Sequence, residues 1–153
     1  MDKLRDMFLI WLASRGSRRE ITRKYKGSDE LYLVRYHLFR SRWLNIHLHN
    51  FFLSDEEALH DHPFHSISIL LRGGYMEHHH DGKVSTRLPG DIWYRSAREL
   101  HRIQVIAPGT TWSLFIHGRR TREWGFLRPG GWDMADNSTH KRLTGVLFPR
   151  FDT

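Results

Sequence analysis

The sequence contains no cysteine. Disulfides, thiolate metal sites and cysteine nucleophiles are therefore excluded, and the composition fits a reducing compartment. Proline is scarce, at 5 of 153 residues, and no segment has the composition of a disordered chain. There is no internal repeat, and no low-complexity tract beyond a short histidine run. Long apolar runs are missing too. Met7 to Ala13, the longest near the N-terminus, falls well short of the ~20 residues that span a bilayer. Asp2 and Asp6 precede it and no small-residue cleavage site follows, which argues against a secretion signal. These absences predict a cytoplasmic protein with no membrane span.

What the chain does have is aromatic residues, 13% of the total, with 6 Trp and 9 Phe. Such residues favour strands, and 39% hydrophobic content over this length suits one domain with its own core. The formal net charge is +7. Part of it sits in two clusters, Arg18, Arg19, Arg23, Lys24 and Lys26, then Arg119, Arg120 and Arg122. A basic balance suits nucleic acid, anionic lipid, or a phosphorylated or carboxylate substrate. A solvated basic face is the commoner origin of such runs. Nucleic acid stays a candidate partner without a motif behind it, since the chain has no RNP-like aromatic motif, zinc finger or recognition-helix signature.

Residues 3 to 14 read as an amphipathic helix, with Leu4, Met7, Phe8, Trp11 and Leu12 in one stripe and Gly16 as the stop. Packing of that stripe on the rest of the domain is the default; pairing with a second subunit or lying on a membrane are the alternatives. Residues 15 to 29 read as a polar, basic loop. From residue 31 the pattern changes to short strands between turns. Leu31–Phe39 and Trp43–Leu53 come first, the second with Trp43, Asn45, His47, His49 and Phe51 on one face. Ser66–Leu71 ends at Gly73-Gly74. Tyr75–His79 and Val84–Leu88 flank the hairpin signal Asp81-Gly82. Ile92–Arg95, His101–Ile106 and Trp112–His117 complete at least seven strands, a spacing that predicts an all-β sandwich or barrel. The tail after Arg119 reads as irregular, packing its aromatics over a barrel mouth. The expected organisation is a helix and basic loop over 1–30, a barrel over 31–118 and a packing tail over 119–153.

The most informative stretch is Leu59-His60-Asp61-His62-Pro63-Phe64-His65. Residues i and i+2 of a strand share a side, so His60 and His62 can aim into one cavity. Two imidazoles on one face are half of a site for Zn, Fe, Ni, Cu or Mn. Asp61 then points the other way and can only support a neighbour from outside. Pro63 ends the strand pairing.

Taken with the turns that follow, this stretch resembles the cupin superfamily: a His-x-His motif, a strand closed by Gly73-Gly74, the turn Pro89-Gly90-Asp91, and a strand-leading His101. The resemblance covers roughly residues 31 to 117. It implies an all-β cupin double-stranded β-helix, a jelly-roll barrel, with a metal inside on His60, His62 and His101. The segment Arg119 to Phe126 resembles a recurring tail of small cupin-like proteins of bacteria and phages. Two departures stand out. Many cupins carry a glutamate where this chain has Ser66, with His65 beside it. Six extra residues, Tyr94 to Glu99, separate the Pro-Gly turn from His101. A three-histidine set is what iron thiol dioxygenases and some other oxygen-using cupins employ, and it leaves metal positions open, as a catalytic site requires. His65 and Glu77 are candidates for a fourth ligand, and His47 and His49 are candidates to line the barrel.

The expected cofactor is one divalent ion, iron first, with Zn, Mn or Ni as alternatives. The expected activity is that of a mononuclear non-haem iron dioxygenase acting on a small anionic substrate. Tyr75 would serve as acid or hydrogen-bond donor, and Arg102 would hold the substrate's charge, with Arg87, Arg95 and Gln104 as further cavity candidates. A non-redox isomerase or lyase, or a binding barrel without enzymatic activity, are the competing classes. His78-His79-His80, beside a hairpin tip, reads as solvent-exposed rather than as a ligand set. A homodimer is what the family resemblance implies.

Overall fold

The structure is a computed structural model that describes residues 2–25 and 28–135. It contains one helix, α1 (Asp2–Ser14), and twelve strands among those residues. The strands are β1 (Ser17–Tyr25), β2 (Ser28–Arg40), β3 (Leu44–Phe51), β4 (Leu59–His60), β5 (Ser66–Arg72), β6 (Tyr75–His79), β7 (Val84–Arg87), β8 (Ile92–Arg95), β9 (His101–Val105), β10 (Thr111–Gly118), β11 (Gly125–Arg128) and β12 (Gly131–Met134). They form two six-stranded sheets, ordered β1-β2-β3-β10-β5-β8 and β12-β11-β4-β9-β6-β7. Every pairing is antiparallel.

Alternation along each strand builds the interior. In the first sheet, Arg35, His49 and Ser113 form one inward row across β2, β3 and β10. Leu33 and Phe51 form the row beside it. Ile21, Leu33, Phe51, Leu70, Tyr75, Trp93, Ile103 and Val105 make the core between the sheets. The β5–β6 turn needs glycine at Gly73, where φ is 74° and an added Cβ would sit 2.6 Å from Thr111 Cα.

Three expectations fail here. The stretch 15–29 is not a loop, because β1 pairs with β2 along its length and buries Ile21 and Arg23. Its polar composition is overridden by a partner strand that a local reading does not supply. The described part of the tail is not irregular either. β11 and β12 form a hairpin, and β11 extends the second sheet by pairing Phe126 with His60. The barrel sheets therefore reach beyond 31–118 at both ends. Lys26 and tail residues 136–153 lie outside the described residues.

The third failure concerns α1. It contacts β2 and ties Asp6 to Arg72 at 2.8 Å, but through Leu9, which is 2% exposed. Leu4 at 76%, Phe8 at 49% and Trp11 at 51% face outward, so the stripe expected to pack is the solvent-facing one. No helix among the described residues is long and apolar enough to cross a membrane.

Candidate metal centre

His60 closes β4, and His62 follows it before the chain turns at Pro63. His101 opens β9, directly paired with His60. The three ring centroids form a nearly equilateral triangle: 5.0 Å for His60–His62, 4.9 Å for His60–His101 and 5.1 Å for His62–His101. One nitrogen from each lies within 4.8 Å of the others, and His62 Nε2 is 2.8 Å from His101 Nε2. No other such group of three occurs among the described residues.

Burial holds all three rings neutral. Desolvation lowers His60, and it lowers His62 and His101 well below the usual histidine range, with the Arg95 charge adding to the effect on each. A neutral imidazole is the form that ligates a metal. His60 Nδ1 is buried and has no hydrogen-bond partner among the described residues, as expected of a ligating or unsatisfied nitrogen. The donor set thus fits a divalent transition metal.

Each histidine is held from behind. His101 Nδ1 is 3.1 Å from Glu77 Oε1. Glu77, wholly buried on β6, also receives Arg95 Nη2 on Oε1 and Arg87 Nε on Oε2, the latter at 2.9 Å. His62 stacks on Phe64 at 5.9 Å, and His60 packs edge-on against Trp124 and at a tilt against Phe126. Asp61 points away, as alternation demands, and fastens the tail to the site. It accepts Gly125 N–H at 2.7 Å, Arg122 Nη1 at 2.6 Å and Trp132 Nε1 at 3.1 Å.

The cavity beside the histidines has a volume of ≈ 190 Å³, on the scale of the ~150 Å³ cavity that holds benzene. Its walls combine rings (Phe51, Phe64, Phe115, Tyr75) with Arg35, His49 and Asp55. Tyr75 is on this wall, and burial pushes its phenol up, so it stays protonated and can donate.

Several expected site residues lie elsewhere. Glu77 is beside the site, but behind His101 rather than among the converging nitrogens, because its carboxylate is drawn to Arg87 and Arg95. His65 is exposed and stacks on Tyr94, whose hydroxyl is 2.5 Å from its Nδ1. The inward positions of β5 are Ser66 and Ser68, so the residue before Ser66 faces out. Arg102 alternates with buried His101 and Ile103 and so lies on the outer side of β9, away from the cavity lining. Gln104 shares that side and bonds His78 at 2.9 Å. His79 turns to Ser85 Oγ at 3.0 Å and His80 is exposed, so the run 78–80 does not converge on one point. His49 lines the cavity, while His47 bonds His37 and His117, each at 3.2 Å.

Sequence reasoning missed Arg35, Tyr32 and Asp55. Arg35 had a legible signal, since it shares one side of its strand with Leu33 and His37 at i, i+2 spacing.

No protein-family model matches the sequence, and no curated protein does. Solved structures do match in shape. A predicted oxalate decarboxylase from Thermotoga maritima superposes with TM-score 0.54 and 17% identity, covering 70% of this chain and 96% of that one. A protein with a double-stranded β-helix domain from Klebsiella pneumoniae superposes with TM-score 0.51 and 16% identity, covering 69% and 90%. The chain thus has the cupin fold, a double-stranded β-helix. In this fold the metal-competent nitrogens sit on the second sheet and its connection to the first, facing Arg35 and His49 across the barrel.

Proposed function

We propose that this cupin is a metal-dependent enzyme that holds one divalent ion on His60, His62 and His101. We read it as a mononuclear non-haem iron dioxygenase acting on a small anionic substrate. The observation that carries the reading is the triangle of three neutral imidazoles with no carboxylate among the converging atoms. Iron, when bound, supplies a centre with coordination positions left over for oxygen chemistry. The chain's own residues do the rest. Glu77 stands behind His101, its Oε1 3.1 Å from Nδ1, where its charge can orient the ring. Tyr75 donates from a protonated phenol into the cavity. Phe51, Phe64 and Phe115 exclude water and strengthen every polar contact within.

Non-redox chemistry on Zn, Mn or Ni, with the same ligands, is the competing reading. The predicted oxalate decarboxylase of the same fold supports keeping a lyase reaction in view. Metal identity separates the two.

The test is elemental analysis of tag-free protein purified without chelator, beside the His60→Ala/His101→Ala double variant. About one iron per chain, lost in the variant, with oxygen uptake on a panel of small organic acids, is the expected outcome. Zinc, manganese or nickel in its place moves the assignment to Lewis-acid chemistry. No metal after anaerobic loading with each ion sinks both readings.

A further inference from the structure

The cavity has a second pole opposite the histidines. Arg35 points inward from β2, in register with His49 on β3. Its Nε donates to His49 Nε2 at 2.9 Å, which sets the plane of the guanidinium. Among the described residues no carboxylate pairs with it. Other arginines near the site are matched, Arg87 and Arg95 by Glu77 and Arg122 by Asp61. Asp55, an acid that lines the same cavity, is already engaged, accepting Ile103 N–H at 2.6 Å and the Tyr32 hydroxyl. The like charges of Arg19 and Arg40 bear on Arg35, and Tyr32 opposes them. Desolvation, the largest cause, outweighs the opposing effect of Tyr32 and lowers its pKa to about 10, so it remains a cation at neutral pH.

A cation on a mostly apolar wall with no counter-ion costs free energy. A ligand that brings the anion removes that cost. The flanking surface is aromatic: Phe115 stacks on His49 at 5.2 Å and Phe51 meets it edge-on at 5.8 Å. A carboxylate matches one guanidinium fork in geometry and in charge. A phosphate dianion would leave a negative charge unmatched, because His49 is held neutral by burial.

We propose that Arg35 anchors the carboxylate of a small monocarboxylic acid whose apolar body lies against Phe51 and Phe115 and reaches toward the three imidazoles. This deepens the reading of the metal site and rests on it for the reacting end alone. Capture of the carboxylate needs only Arg35.

The experiment is titration calorimetry on the full chain with propionate, benzoate and 3-phenylpropionate, each against its primary amide, and with inorganic phosphate. The expected result is that at least one acid binds about tenfold or more tightly than its amide. Arg35→Gln should weaken that acid about 10- to 100-fold, the worth of a charged hydrogen-bonded contact, and leave the amide unchanged. Arg35→Lys, which keeps the charge without the fork, should fall between and serves if Arg35→Gln does not fold. The His60→Ala/His101→Ala variant should keep acid binding while losing metal, so a failed metal reading is told apart from a failed anchor. Equal affinity for acid and amide, an unaffected Arg35→Gln, binding of phosphate alone, or no binding of any acid overturns the proposal. So does acid binding that disappears with the histidines and survives without Arg35.

Discussion

Glu77 serves three neighbours with one carboxylate. It stands 3.1 Å from His101 Nδ1, takes Arg87 at 2.9 Å, and pairs with Arg95, all from a fully buried position. Glu77→Gln keeps the shape and removes the charge. Arg95 then remains buried without its partner, a loss of ~3–5 kcal/mol by the cost of breaking a buried pair. Metal affinity should fall about 10–100-fold, as for other groups that orient a ligating histidine. Denaturant unfolding and competition against a chelator read the two effects separately. Unchanged metal affinity would mean that Glu77 does not act through His101.

Among the elements, α1 tests whether burial or sequence pattern decides what a helix is worth. Its most regular apolar stripe is exposed, and Leu9 alone is deeply buried. Leu9→Ala should therefore cost ~2–5 kcal/mol, as buried large-to-small changes do. Leu4→Ser, at the most exposed position of the stripe, should stay within ~0.5 kcal/mol. Equal losses in thermal or urea unfolding would mean that the stripe is covered in solution.

At the scale of the whole molecule, buried histidines set the response to acid. His37 and His117 are lowered to about 4, and His47 to about 2. In each, desolvation is the main cause, and the charge of Arg35 adds to it. A depressed folded-state pKa means that the unfolded chain takes protons first, below ~6.5. Stability is then intact above that pH and declines as pH falls from ~6.5 toward 4. At least one proton should be taken up on unfolding in this window, a slope of ~1.4 kcal/mol per pH unit. His37, only partly buried, contributes least. Urea midpoints measured from pH 7.5 to 5 check this. His47→Gln should flatten the profile, and a flat profile in the unaltered protein would show that these histidines are accessible to protons.

The order of the turns and the i, i+2 spacing of His60 and His62 were enough to predict an all-β cupin barrel with those two rings on one side. Strand alternation is a local property, so it survives in one dimension. It also placed Asp61 on the far side, which is where it fastens β11 and β12. What the chain by itself could not determine is which outward or inward row meets which. Arg102 and Arg35 are both strand arginines; alternation gives each a side of its own strand, and the sheet pairings decide that the side of Arg35 becomes cavity wall. β1 became a strand because β2 runs beside it, and the apolar stripe of α1 lost the core to Leu9 because one face alone can touch the sheet. Local pattern fixes periodicity; burial and charge pairing depend on neighbours distant in sequence, and those exist only once the two sheets have closed.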